Sequence, residues 1–305
     1  MESVRRDYFR DLWTVVAPGR AARPLETEAP AHGSGPTGGH CDFCLGYEGN
    51  TPPEIMRVGT TQSWSVRVVP NRYPILAAHE VVVETSEHGV NLAGYTLAHT
   101  EVLLGVYQQR IAVLEDRADV HWVQVFRNQG MPAGASLGHP HTQIIGMPRM
   151  PGPVAERQAW SHEDACGFCR LAEDEGRGGR AVYRNDSFCL FVPYAPRYEY
   201  ELWLVANHHV PSLAALDLQA HAHLADCLRT GAALADRVSA AHNLMLFYGF
   251  AGGDFHLHLE FVPRVARAVR AGLELSTGYS VLSQTPEKMA ASLRDMVASV
   301  RSGLA

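Results

Sequence analysis

The sequence predicts an α+β fold made of one duplicated unit, with a mostly antiparallel sheet and flanking helices. Three observations predict it. Two Cys-x-x-Cys pairs, Cys41 with Cys44 and Cys166 with Cys169, open two stretches of similar grammar. The histidines that follow keep nearly constant offsets: Cys41 to Cys166 is 125 residues, His88 to His209 is 121, and His139 to His256 is 117. A steady offset of this kind is the mark of an internal repeat. Within each half, short apolar runs bounded by turns flank a single long helical stretch, which favours antiparallel pairing.

The 305 residues suffice for two halves at roughly 150 residues each, taken here as 1–150 and 151–305. The run from Leu12 to Val16 reads as a strand. Glu26 to His40 shifts to Ala, Gly, Pro, Ser and Thr and reads as a loop. Its Gly33-Ser34-Gly35 lacks the strand and helix that flank a phosphate loop. In the first half follow an apolar strand-like run, Val81-Val82-Val83, that ends at Glu87-His88, a helix from Leu92 to about Leu114, and strands at Trp122–Phe126 and around His139–Ile145. The second half repeats this: a strand at Leu202–Val205, a helix from Leu213 to about Val238, and strands at Leu244–Phe247 and His256–Val262. Lys288 lies in a helical tail. Cys189 and Cys227 sit in apolar runs and read as core residues.

Composition excludes several function classes. The 26 basic and 32 acidic residues leave a formal charge of −6, a poor balance for non-specific nucleic-acid binding. Lys288 is the only lysine, so the Gly-Lys-Ser/Thr of a P-loop is absent. No 18-residue apolar run exists, so no membrane partner is expected. The first residues lack an apolar signal region, which leads to the expectation of a cytoplasmic protein with reduced cysteines.

Each half offers two thiols and two imidazoles: Cys41, Cys44, His88 and His139 in the first, Cys166, Cys169, His209 and His256 in the second. Two thiolates and two imidazoles make a closed tetrahedral zinc site, so one or two Zn²⁺ per chain are expected. The plainer alternative, a pair of redox dithiols, calls for a thioredoxin-like βαβ context that this sequence does not offer. His208 competes with His209, and His40 stands beside Cys41. With all four positions filled by protein, such sites hold structure and leave no place for an activated water.

The chemistry points to His139-Pro140-His141-Thr142-Gln143. Alternate side chains of a strand share a face, so residues 139, 141 and 143 point together. A neutral imidazole held in one tautomer is a good nucleophile toward phosphorus. Gln143 can donate to a phosphoryl oxygen without competing as a nucleophile. The preceding Gly134-Ala-Ser136-Leu-Gly138 lets backbone N–H groups approach an anion. In the second half His258 and Glu260 stand in these places. A carboxylate there repels phosphate, so only the first half reads as catalytic.

These residues resemble the histidine-triad superfamily, and the duplication with two Cys-x-x-Cys half-sites narrows the resemblance to the galactose-1-phosphate uridylyltransferase family. Trp13 to Pro24 with Arg20 and Arg23, Val69-Pro-Asn71-Arg-Tyr-Pro74, Asn128-Gln-Gly130, Phe255 to Glu260 and Gly278-Tyr279 are similar to its segments. The resemblance implies a ping-pong nucleotidyltransferase in which His141 attacks the α-phosphorus of a nucleotide sugar. A covalent nucleotidyl-histidine then passes the group to a phosphorylated acceptor. It implies that Gln143 steadies the phosphoryl oxygens, that Arg20, Arg23, Asn71, Asn128, Gly130 and Ser136 bind substrate, and that the chain forms a homodimer. Ser280 follows Gly278-Tyr279 where the galactose enzymes carry a sugar-contacting glutamate. The Glu274 to Tyr279 segment is closer to the ADP-glucose phosphorylase branch. A phosphorylase acting with inorganic phosphate is therefore the second reading. A histidine-triad hydrolase and a non-catalytic zinc scaffold follow.

Overall fold

The structure, a computed structural model, describes residues 3–6, 13–22, 41–162, 166–265 and 271–304. Arg23 and the segment 26–40 lie outside the described residues. Its strands in chain order are β1 (Ser3–Arg6), β2 (Trp13–Val16), β3 (Met56–Gly59), β4 (Trp64–Pro70), β5 (Ala78–Val83), β6 (Trp122–Gln129), β7 (His141–Met147), β8 (Ala181–Arg184), β9 (Phe188–Phe191), β10 (Leu202–Ala206), β11 (His242–Phe247) and β12 (His258–Pro263). β1 and β2 form a separate two-stranded ribbon. The other ten form one sheet, ordered β3-β4-β5-β7-β6-β11-β12-β10-β9-β8.

That order is the predicted duplication. β3-β4-β5-β7-β6 and β8-β9-β10-β12-β11 are the same five-strand pattern, joined through β6 and β11. Asn128 on β6 faces Asn243 on β11 in this central ladder. The ladders are antiparallel throughout.

The helices are α1 (Leu97–Glu115), α2 (Gly152–Trp160), α3 (Gly167–Glu175), α4 (Leu218–Val238), α5 (Gly272–Thr277) and α6 (Pro286–Leu304). α4 packs on α1 and α6, while α1 lies against β6 and β7. The two long predicted helices start later than the apolar periodicity suggests. Asn91 caps a short 3-10 turn, Leu92–Gly94, and Thr96 then caps α1 by accepting from the His99 N–H. In the second half a 3-10 turn, Leu213–Ala215, precedes Asp217, which caps α4. Each side-chain acceptor satisfies an N–H that the first turn leaves open and so fixes the start.

Alternation along the central strands sorts residues to two faces. Glu80 on β5 holds Arg110 of α1 through paired hydrogen bonds of 2.7 and 2.8 Å, and Thr142 on β7 meets the Tyr107 hydroxyl at 2.7 Å. The even-numbered positions of β5 and β7 thus face the helices. His79, Val81, His141 and Gln143 take the opposite face. A buried polar network backs the strands. Glu84 accepts from Arg127 Nε at 2.9 Å, Tyr95 Oη at 3.0 Å and Thr142 Oγ1 at 2.6 Å. One apolar core runs through both halves, from Val66 and Leu103 to Leu228 and Phe261. A smaller cluster beside β10 gathers Cys166, Phe168, Ala172, Cys189, Phe191 and Val205. Cys189 and Cys227 are fully buried, as expected. Lys288 is on α6. Among the described residues, no helix is long and apolar enough to cross a membrane.

Candidate functional site

The two predicted Cys/His sets come together in space. In each, the four donor atoms lie within 4.8 Å of one another. The thiol-to-imidazole distances are 3.7 Å (Cys41–His139), 3.5 Å (Cys44–His88), 3.6 Å (Cys44–His139), 3.3 Å (Cys166–His256) and 3.6 Å (Cys169–His256). A tetrahedron with Zn–S and Zn–N bonds of ordinary length has an S···N edge of about 3.6 Å.

Ring orientation fits the same donor role. His139 Nε2 donates to the Thr85 carbonyl at 2.8 Å and His256 Nε2 to the Ala206 carbonyl at 2.9 Å, so each turns a bare Nδ1 toward the thiols. His209 Nε2 bonds Asp254 at 3.0 Å, and its Nδ1 is buried with no hydrogen-bond partner. A carbonyl or carboxylate behind each imidazole is the usual support of a metal-bound histidine. His209, not His208, completes the second set. Burial, with the neighbouring Cys44 thiol adding to it, pushes the Cys41 thiol up to about 12, and burial, with the nearby His88 and His141 rings adding to it, pushes His139 down to about 4. A cation would reverse the cost for the thiolates.

His139 precedes β7 and His141 opens it. His141 Nδ1 donates to the His139 carbonyl at 2.8 Å, which leaves Nε2 as the unprotonated nitrogen. Phe43, between the cysteines, sets its ring edge against both histidines, 6.0 and 5.7 Å between centroids. His141, Gln143, Ser136 and Asn71 line one cleft together with Asp42, Phe43, Asn50, Thr51, Arg72, Tyr73 and Val81. Gln143 Oε1 lies 3.0 Å from His79 Nε2.

Arg20, Asn128 and Gly130 are not among the residues that line this cleft. Arg20 donates to the Tyr73 carbonyl at 2.8 Å and so holds the Asn71–Pro74 loop. Asn128 Oδ1 accepts from Asn243 Nδ2 at 2.7 Å, and Asn243 also donates to the Ala133 carbonyl at 2.8 Å. The second half thereby anchors the turn that leads to Ser136. Gly130 begins that turn with φ 75° and ψ 152°, a conformation essentially reserved for glycine. Composition and motif did not single out His79, Asn243 or Asp254. Their roles depend on pairings between distant strands and loops.

The second half repeats the histidine geometry but seals it. His258 Nδ1 donates to the His256 carbonyl at 2.8 Å, as in the first half. Its ring is stacked by Phe168, Phe247 and Phe255 at 4.3, 4.9 and 5.8 Å. Its Nε2 is buried without a partner, and burial holds its pKa down at about 3. Glu260 is bound by Arg157 at 2.6 Å and also by Arg197. The asymmetry expected from Gln143 and Glu260 is therefore also one of access: a cleft in the first half, an aromatic plug in the second.

Known proteins share this architecture. Residues 40–150 match the family described as "Domain of unknown function (DUF4931) N-terminal domain". A galactose-1-phosphate uridylyltransferase of Thermotoga maritima is 26% identical over 97% of this chain and 98% of its own. An ADP-glucose phosphorylase of Arabidopsis thaliana is 27% identical over 70% of each chain. The resemblance is to galactose-1-phosphate uridylyltransferases and ADP-glucose phosphorylase. A solved structure of a uridylyltransferase mutant, 26% identical, superposes with a TM-score of 0.80 over 98% of both chains. The expected family resemblance and the duplicated α+β fold are both borne out.

Proposed function

We propose that this chain is a nucleotidyltransferase that moves a nucleoside monophosphate from a nucleotide sugar to a phosphate-bearing acceptor through a covalent His141 intermediate. The observation that carries the reading is the tautomer of His141. Its Nδ1–H is committed to the His139 carbonyl, so the Nε2 lone pair is the nucleophile, and the ring belongs to the wall of a cleft. In the first step Nε2 bonds to the α-phosphorus, the bond from that phosphorus to the bridging oxygen breaks, and sugar 1-phosphate leaves with the electron pair. The His139 carbonyl opposes the positive charge that grows on the ring. In the second step an oxygen of the acceptor phosphate bonds to phosphorus and the P–N bond breaks. One hard displacement becomes two easier ones, with positioning and charge stabilisation supplying most of the acceleration.

Gln143 would donate to the phosphoryl oxygens, while Asn71 and Ser136 would contact the nucleotide. Arg20, Asn128 and Gly130 would act by holding the loops that carry those contacts. Cys41, Cys44, His88 and His139 would hold one zinc, and Cys166, Cys169, His209 and His256 a second. When bound, such an ion supplies a rigid cross-link, here between the Cys-x-x-Cys loops and the strands. The homodimer belongs to the same proposal, and light scattering in solution checks it.

The test is isotope exchange. Labelled glucose 1-phosphate is incubated with the protein and either UDP-glucose or ADP-glucose, with no other acceptor. Label entering the nucleotide sugar, and none doing so with His141→Ala, supports the covalent transferase. Adding inorganic phosphate in place of sugar 1-phosphate tests the phosphorylase form, which the Arabidopsis relative favours, by formation of the nucleoside diphosphate. Release of the monophosphate without exchange would indicate a hydrolase. No exchange and no release would leave the scaffold reading.

A further inference from the structure

We infer that His79 is a positioning residue that locks the Gln143 amide so that its NH₂ group, not its carbonyl, faces the phosphoryl site. This rests on the nucleotidyl-transfer reading. The argument begins with a backbone group that can only donate. The Ile75 N–H points at His79 Nδ1 over 3.0 Å, so Nδ1 must be the bare nitrogen. A neutral imidazole carries one proton, which must then sit on Nε2. Nε2–H faces Gln143 Oε1 at 3.0 Å and donates to it. With Oε1 fixed against His79, the Gln143 Nε2 hydrogens turn the other way, into the cleft that His141 lines.

The same proton settles Asn71. Its Oδ1 accepts from the Tyr73 N–H at 2.8 Å, so the end nearest His79, 3.1 Å away, is Nδ2. Nδ2 and the His79 Nε2–H are both donors and cannot bond to each other. Asn71 lines the cleft, and its NH₂ hydrogens are left for a ligand there. One buried ring, 3% exposed, thus sets two amides so that both offer donors and neither offers a carbonyl. A wall of that polarity suits ligands rich in acceptors, such as phosphoryl oxygens and nucleobase carbonyls. Without His79, the Gln143 amide can rotate and present Oε1 to an anionic oxygen, which is repulsive.

His79→Ala should lower kcat for sugar 1-phosphate exchange by about tenfold to a hundredfold, somewhat less than outright loss of a transition-state donor. KM should stay within about threefold, because the phosphoryl oxygens need this donor most in the transition state. His79→Gln supplies an acceptor for Ile75 and a donor for Gln143, and should recover most of kcat. A mainly structural role would instead be exposed by thermal midpoints that fall in step with activity in both variants. The ring is read directly by two-bond ¹H–¹⁵N correlation on the wild-type protein, the His79 signal assigned by its loss in His79→Gln. The Nε2–H tautomer is expected, and the Nδ1–H tautomer would overturn the inference. So would a folded His79→Ala with wild-type kcat, or a folded His79→Gln no better than His79→Ala. Absence of exchange in the wild type would sink the transferase reading instead, and the tautomer would still decide whether His79 orders Gln143.

Discussion

Replacing Arg127 with methionine removes the cation from the most enclosed ion pair behind the site. Glu84 is 0% and Arg127 3% exposed, and the guanidinium approaches the carboxylate at 2.9 and 3.1 Å. Methionine fills much of the volume but leaves a buried carboxylate without its counter-charge, a change that costs about 3–5 kcal/mol. Tyr95 and Thr142 still donate to Glu84 at 3.0 and 2.6 Å, which favours the lower end. The loss should therefore be near 3 kcal/mol, or a thermal midpoint about 6 °C lower at roughly 2 °C per kcal/mol for a chain of this size. Scanning calorimetry and urea melts followed by tryptophan fluorescence measure it. Pairing the change with Glu84→Gln removes the stranded charge and should recover at least a third of the loss. A single variant within about 1 kcal/mol of wild type, or a double variant less stable than the single one, would refute the reasoning.

Other expectations follow from single features. Cys41→Ser and Cys166→Ser should each lower bound zinc from two ions per chain to one by elemental analysis, and unchanged content in either would remove that cluster from the account. Gly130→Ala places a Cβ 2.9 Å from Ala241 Cβ at φ 75°. It should cost about 1–3 kcal/mol in urea melts, and a neutral effect would contradict the strain. His242 is buried 3.4 Å from Asp236, and burial, then the Arg127 charge, holds its pKa down at about 3. A depressed folded value means that this stabilising contribution is complete above the unfolded pKa of about 6.5 and is lost as pH falls toward 3. His242→Leu should therefore flatten the decline in thermal midpoint across that window, and an identical decline would show that His242 does not report it.

Much of the site was legible because it is local or repeated. Cys-x-x-Cys brings two sulfurs together within a turn, and the steady offset between halves narrows the second imidazole to His208 or His209, of which the fold brings His209 to the thiols. His139, His141 and Gln143 lie on one short segment, so alternation alone aligns them. What lies across the sheet was not legible. His79 reads as one polar residue in an apolar strand until β5 is set beside β7. Asn243 gains meaning only when β11 meets β6, a pairing 115 residues apart. β3, β4, β8 and β9 were not anticipated. Arg67 interrupts the apolar run of β4, yet it is 2% exposed and held by Glu54 and Thr51. Helix starts were placed early because periodicity continues through the 3-10 turns, while the caps Thr96 and Asp217 decide where the helices begin.

The central claim is the covalent role of His141. Intact-protein mass, recorded within seconds of mixing with UDP-glucose, ADP-glucose or GDP-mannose, tests it most directly. The account predicts a gain of one nucleoside monophosphate with at least one donor, localised to His141 by peptide fragmentation and absent in His141→Ala. The adduct should be discharged when a phosphorylated acceptor is added. An adduct on another residue, or turnover that persists in His141→Ala, would contradict it.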